Sequence, residues 1–235
     1  MVNPFVIIWR GIADVYNELF PMVGMNLLWL IISIPIVGVI TLVLAIFRLP
    51  GEVAFPLALL FAILGPNPAA VGIHTYVNQL AKDERVEFEL FWSGLKQLGP
   101  RGLLLLTVAV VVTLLLAVNL VFYLNSSVRI LQYLAILWLY VMLLWFMMML
   151  YMNPLLVEQQ TKSIRLIIRN AFVLALDNIV PSIILLIVLV VVSAVSIAIT
   201  LLIALVSGAL VADVQTRAVL AYLEKYERRA AKQAP

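Results

Sequence analysis

Between Val180 and Ala212 the chain runs 33 residues without a charged side chain. One straight α-helix of that length would be ~50 Å long, well beyond a hydrocarbon core of ~30 Å. The stretch is therefore expected to hold two membrane spans joined by a tight turn near Ile199–Leu201. Four further apolar runs, at roughly 22–47, 53–81, 102–124 and 130–152, are each long enough to cross a bilayer. Composition agrees: 65% of residues are hydrophobic and 11% charged, where a soluble domain carries ~25% charge. The expectation is an all-α, polytopic transmembrane helix bundle of about six spans. Residues 1–235 form a single integral membrane domain, with no Pro/Gly/Ser-rich linker.

Charge placement supports six spans over five. With a cytoplasmic N-terminus, the inside segments are 1–21, 82–101, 153–179 and the end of the chain from 213. They hold thirteen of the fifteen basic residues, leaving only Arg48 and Arg129 outside. Cations are retained with the cytoplasmic headgroups, so this distribution predicts that both termini are cytoplasmic. Five spans would split the same charges between the two faces. The net charge of +3 is read in the same way, as a membrane-face bias and not as a nucleic-acid surface. No cleavable signal peptide is evident in residues 1–21, and the first span is expected to act as its own insertion signal.

The second apolar run is interrupted. After Val53–Leu64 comes Gly65-Pro66-Asn67-Pro68, which must break a helix because proline lacks the N–H donor and its ring clashes one turn back. This predicts either a broken span or a re-entrant piece followed by a short span, over residues 38–81.

Three amphipathic segments precede three apolar hairpins. Phe5, Ile8, Trp9, Ile12 and Tyr16 recur at helical spacing opposite Arg10 and Asp14, Phe88, Phe91, Trp92 and Leu95 form a second stripe, and Ile164, Ile167, Ile168, Ala171 and Phe172 a third. Such helices are expected in the cytoplasmic interface, cations toward anionic headgroups. Each leads to a proline expected to open a span at its first helical position: Pro21, Pro100 and Pro181, spaced 79 and 81 residues apart. The exits also match: Tyr76-Val77-Asn78, Tyr151-Met152-Asn153 and, more weakly, Tyr222-Leu223-Glu224. These features suggest three parallel units, each an amphipathic helix plus a two-span hairpin, at 1–81, 82–155 and 156–235. Shared hydrophobic composition is the competing explanation.

Little in the sequence carries chemistry. With no cysteine and a single histidine, thiolate sites, disulfides and multi-histidine metal sites are excluded within one chain. No P-loop, HExxH or GxSxG pattern occurs. No catalytic residue, metal site or cofactor is expected, and the chain reads as a non-enzyme. Ionisable and amide groups inside spans are the remaining candidates. Asp213 and Arg217, four apart, are expected to form an ion pair, and His74 to pack through a hydrogen bond. Asn26, Asn78 and Asn119 are expected to join helices. His74, Asn78, Asn119, Asp213 and Arg217 together are the residues a solute path would use. Trp138 and Trp145, with Met142 and Met147–Met149, read as packing or lipid-facing surface, a hydrophobic ligand groove being the alternative. Asp83, Glu84, Glu87 and Glu89 read as a solvated loop face.

The run Asn26-Leu27-Leu28-Trp29 with Ser33 and Pro35 resembles the YesL-like family of bacterial integral membrane proteins of unknown function. Gly65-Pro66 with Ala69-Ala70, Phe91-Trp92, Asn170-Ala171-Phe172 and Glu224-Lys225-Tyr226 extend the resemblance over most of the chain. Here the Gly-Pro pair lies thirty residues after Pro35, farther than in the family pattern, as though residues 38–64 were inserted. The resemblance implies a bacterial inner-membrane protein with an accessory role in carbohydrate uptake or sensing. The leading expectation is thus a non-enzymatic accessory or scaffold component, whose partners are the lipid bilayer and other membrane subunits. The alternative is a small transporter or channel with its own solute path.

Overall fold

In the computed structural model, which describes residues 3–82 and 84–233, every regular element is helical. Helix α1 (Pro4–Asn17) starts where the Asn3 carboxamide accepts the N–H of Phe5 at 3.0 Å, with Pro4 in the first turn. It stops at Glu18, whose φ of −107° and ψ of 36° leave the helix, and α2 (Leu19–Ile46) begins at once. Pro21 explains the break. It cannot donate to the carbonyl of Asn17, and its ring would press on that carbonyl. Restarting at Leu19 places Pro21 in the first turn, where N–H groups have no intrahelical partner.

The same device returns 160 residues later. Helix α7 (Ile164–Asp177) ends at Asn178, with φ −126° and ψ 42°, and α8 (Ile179–Ala198) begins with Pro181 in its first turn. The buried stripe Ile7, Gly11 and Val15 of α1 matches Ile167, Ala171 and Ala175 of α7 at that offset. Two expectations are corrected here. Pro21 and Pro181 are the third residues of their helices, not the first, because any first-turn position tolerates a missing N–H. Pro100 opens nothing: it lies inside α5 (Glu89–Leu124), so the second amphipathic segment runs on into its span. Close packing accounts for this continuity. A Cβ on Gly94 would lie 2.7 Å from Cβ of Thr75, and one on Gly102 would lie 3.0 Å from Cα of Pro68. The two glycines let α5 lie directly against its neighbour on both sides of the proline.

Six helical stretches are long and apolar enough to cross a membrane, and the protein is a multi-pass membrane helix bundle. They are α2, the broken pair α3 (Gly51–Leu64) and α4 (Pro68–Leu80), α5, α6 (Arg129–Glu158), α8, and a composite last span. That span comprises the single turn α9 (Thr200–Leu202), a π-helical segment (Ile203–Ser207) and α10 (Gly208–Gln233). Ile199, at φ −106° and ψ 86°, makes the turn expected in the uncharged third of the chain. The α2–α3 turn is closed by Arg48, whose φ of 60° is left-handed. Its N–H donates to the carbonyl of Ala45 at 2.9 Å and that of Leu49 to the carbonyl of Leu44 at 3.4 Å. These two bonds make a Schellman closure, which ordinarily takes glycine at that position.

Helices α4, α6 and α10 pack on one another at the centre, while α2, α5 and α8 are turned largely outward. Each central helix also packs on the element after it: α4 on α5, α6 on α7, and α10 on α1, which closes the bundle on itself. Charged contacts gather at one end, linking Asp14 to Arg217, Lys82 to Glu158 and Lys225 to Asp177. Helix α1 and the C-terminal part of α10 therefore share that end. Arg48 and Arg129 stand at connections between spans, apart from this charged cluster.

Candidate functional site

The break between α3 and α4 exposes backbone groups that a continuous helix would have paired, and in an apolar medium each must find another partner. Asn67 supplies several. Its Oδ1 accepts the N–H of Ala69 at 2.9 Å, capping α4, while Nδ2 donates to the carbonyl of Ala62 at 3.1 Å and to Oγ of Ser33 at 2.9 Å. From α10, Gln215 donates to the carbonyl of Leu64 at 2.9 Å, and from α6, Asn153 donates to the carbonyl of Asn67 at 3.2 Å. The break is thus held by α2, α6 and α10 together. It is a broken span, resolving the alternative left open above.

The π-helical segment is stabilised in a similar way. Asn26 of α2 donates through Nδ2 to the carbonyls of Ile203 and Ala204 at 2.8 and 2.7 Å. Its Oδ1 accepts the N–H groups of Gly208 and Ala209 at 2.7 and 3.2 Å. Gly208 is required for this approach. A Cβ there would meet the Trp29 ring at 2.9 Å and Oδ1 of Asn26 at 3.0 Å.

The five sequence candidates fall in different places. His74, buried on α4, faces Thr216 of α10, with Nδ1 2.9 Å from the threonine Oγ1. Because that hydroxyl donates to the carbonyl of Ala212 at 2.8 Å, it accepts from His74, and the imidazole proton sits on Nδ1. Asn78 donates to Oε2 of Glu158 at 2.9 Å, an oxygen that also takes Lys82 at 2.6 Å, joining α4 to α6. Asp213 and Arg217 pair within α10 at 3.2 Å, and Arg217 donates further to Asp14 of α1. The fully buried Asp213 is seated by Gly11, where a Cβ would stand 2.9 Å from its Oδ2. Among the described residues Asn119 bonds to no second helix: its Nδ2 donates to the carbonyl of Leu115 in its own helix at 2.7 Å. That corrects the expectation of a helix–helix contact. The amide is partly exposed on α5, and its one hydrogen bond among the described residues is to its own backbone. The acidic loop is described only in part, since Asp83 lies outside the described residues.

Sequence reasoning missed Asn67, Asn153, Gln215, Thr216 and the Tyr76–Glu18 hydrogen bond of 3.3 Å. For Asn67 a signal existed, because an asparagine directly before Pro68 reads as a helix N-cap. The exit tyrosines Tyr76, Tyr151 and Tyr222 are all buried, with Tyr151 edge-on to Tyr222 at 5.8 Å and donating to Ser182 at 2.7 Å. Trp145 is a packing residue whose indole donates to Thr113 at 2.9 Å, and Trp138 stacks on Tyr123 at 6.0 Å.

Two voids stand out. A cavity of about 330 Å³ lies between α2, α3, α5, α6 and α8, lined by residues such as Ile40, Phe61, Val110, Phe146 and Val190. Its one hydroxyl, that of Thr113, already donates to the carbonyl of Ala109 and accepts from Trp145. The cavity therefore offers hydrophobic volume with no free polar group to orient a solute, and none of the five candidates lines it. The second void is an open groove of about 860 Å³ at the charged end, where Arg217 is the one candidate present. Beside it, the Lys225 ammonium donates to Asp177 at 2.8 Å and holds that carboxyl below the usual carboxylate range, against a smaller opposing effect of burial.

Comparison with protein-family models, with curated proteins and with solved structures gave no match.

Proposed function

We propose that this multi-pass chain is a non-enzymatic accessory or scaffold protein of a bacterial inner membrane, working through helix contacts with other membrane subunits. One observation carries the reading. Four of the five polar candidates are engaged in seams within the chain: α4–α10, α4–α6 and α10–α1. Along their apolar runs α2 and α5 present mainly hydrophobic side chains outward, including Ile31, Ile34, Leu115 and Phe122. Groups committed to holding helices together are not free to bind a solute, whereas an apolar exterior can meet lipid or another span. The YesL-like resemblance gives the reading its context, carbohydrate uptake or sensing. The 160-residue correspondence of α1–α2 with α7–α8 supports a kinship of the first and third of the three proposed units.

A second reading, a small transporter or channel, is favoured by one feature. The chain has two irregular spans, α3–α4 and the π-bearing last span, and irregular helices often line transport sites. The two readings separate in one experiment. Affinity purification from native membrane, paired with solute uptake into proteoliposomes, is expected to recover a membrane partner and no uptake. Uptake by the isolated protein without any partner would establish the second reading instead.

In the proposed orientation the charged end is cytoplasmic. Because the chain has no cysteine, single cysteines at Asn3, Ser126 and Glu227 can be labelled without background. Impermeant maleimide added to intact cells is expected to label position 126 and neither of the others.

A further inference from the structure

The open groove at the charged end lies between α1, the end of α4 and the C-terminal part of α10. Its lining is amphiphilic. Val6, Leu220 and Ala221 contribute apolar surface, while Arg10 and Lys232 add cations to others already held in ion pairs. Arg217 is taken by Asp14 and Asp213, Lys82 by Glu158, and Arg228 by Glu224. Asp177 is shared between Lys225 and, at 3.5 Å, Arg229. Arg10 and Lys232 form no ion pair among the described residues. The groove thus carries more positive charge than its carboxylates balance.

Its position says which anion fits. Helix α1 turns Ile7, Gly11 and Val15 into the protein and leaves Phe5, Trp9 and Tyr16 strongly exposed. Aromatic side chains exposed on an amphipathic helix beside membrane spans belong at the acyl–headgroup boundary. That places Arg10, on the same helix, at the depth of the lipid phosphates. A free anion has no use for the apolar part of the lining, whereas a glycerophospholipid matches both parts. Basic pockets between helices at a membrane face are suited to anionic headgroups on general electrostatic grounds.

We propose that this groove is a binding site for an anionic phospholipid, with its phosphate between Arg10 and the basic face of α10. The glycerol and upper acyl chain lie against Val6, Leu220 and Ala221. The site does not depend on the accessory role, since it requires no protein partner.

The test uses the full chain reconstituted in vesicles of equal phosphatidylglycerol and phosphatidylcholine, extracted in detergent and examined by native mass spectrometry for retained lipid. Phosphatidylglycerol should be retained in preference to phosphatidylcholine. The preference should fall about fivefold for each cation removed in Arg10→Gln and Lys232→Gln. Arg10→Lys, which keeps the charge, should preserve it, and Arg129→Gln, away from the groove, should leave it unchanged. Both target side chains are exposed, so a melting curve matching the parent is expected for each variant. Equal retention of the two lipids by the unaltered chain would overturn the proposal without recourse to any variant. So would inorganic phosphate displacing phosphatidylglycerol completely, which would make the groove a free-anion site.

Discussion

The carboxamide oxygen of Asn26 accepts the N–H of Gly208 at 2.7 Å, across the widened turn of the last span. The same side chain donates to the carbonyls of Ile203 and Ala204, so one asparagine on α2 serves both edges of the π segment. Replacing it with leucine keeps an apolar bulk of similar size but removes every one of these bonds. Asn26→Leu is expected to cost roughly 1–3 kcal/mol, measured by unfolding in mixed micelles. Asn119→Leu, whose amide bonds only its own helix, should stay within about 0.5 kcal/mol of the parent.

The Asp14–Arg217–Asp213 cluster ties α1 to α10, and its central cation is what makes the buried Asp213 tolerable. Oδ1 of Asp213 has no hydrogen-bond partner among the described residues, so all its compensation arrives through Oδ2. Arg217→Met should destabilise the protein by about 3–5 kcal/mol, the usual consequence of stranding a buried charge. The double variant Arg217→Met/Asp213→Asn should recover most of that loss. Additive losses in the double-mutant cycle would show that the ion pair is not the source.

Asp177 gives a pH dependence with a definite sign. Hydrogen bonding from Lys225, with help from Tyr226 and Arg229, lowers its pKa below the ordinary 3.8. A carboxylate lowered on folding stabilises the protein fully above its unfolded pKa, and that contribution disappears as pH falls through the folded value. Docking of α7 on α10 should therefore be constant from neutrality to about pH 5, then weaken below the ordinary value of 3.8. Hydrogen exchange in α7 followed against pH checks this, and Asp177→Asn should remove that dependence.

Arg48 holds a left-handed conformation at the α2–α3 turn that costs an L-residue energy and a glycine almost none. Arg48→Gly is expected to stabilise the bundle by roughly 0.5–1 kcal/mol. A loss of stability would mean that the arginine side chain contributes more than its backbone strain costs.

How far the residues could be read in advance depended on what kind of information each carried. The turn at Ile199 was legible because an uncharged run longer than a bilayer must fold back. The break at Gly65-Pro66-Asn67 was legible because proline chemistry is local. Asn26, Asn78 and Asn119 illustrate the other case. All three are amides in apolar runs, yet one braces a π segment, one binds a glutamate across a seam, and one bonds its own backbone. Nothing local distinguishes them. Pro100 was misread for a related reason. Its effect on the chain is set by how closely α4 lies against Gly94 and Gly102, which is a property of two helices together.

Sequence alone determined that the chain lives in a bilayer, how many times it crosses, and where its charges collect. These follow from transfer energies and backbone hydrogen-bonding needs that act residue by residue. Tertiary structure decided which polar groups meet: Gln215 reaches the carbonyl of Leu64, His74 finds Thr216, and Arg217 bridges to Asp14. The partners stand as much as 203 positions apart, and helical periodicity tells which residues share a face but not which faces touch. Once α10 closes on α1, cations far apart in the chain line one groove. Charge bias along the chain thereby becomes a site with a shape.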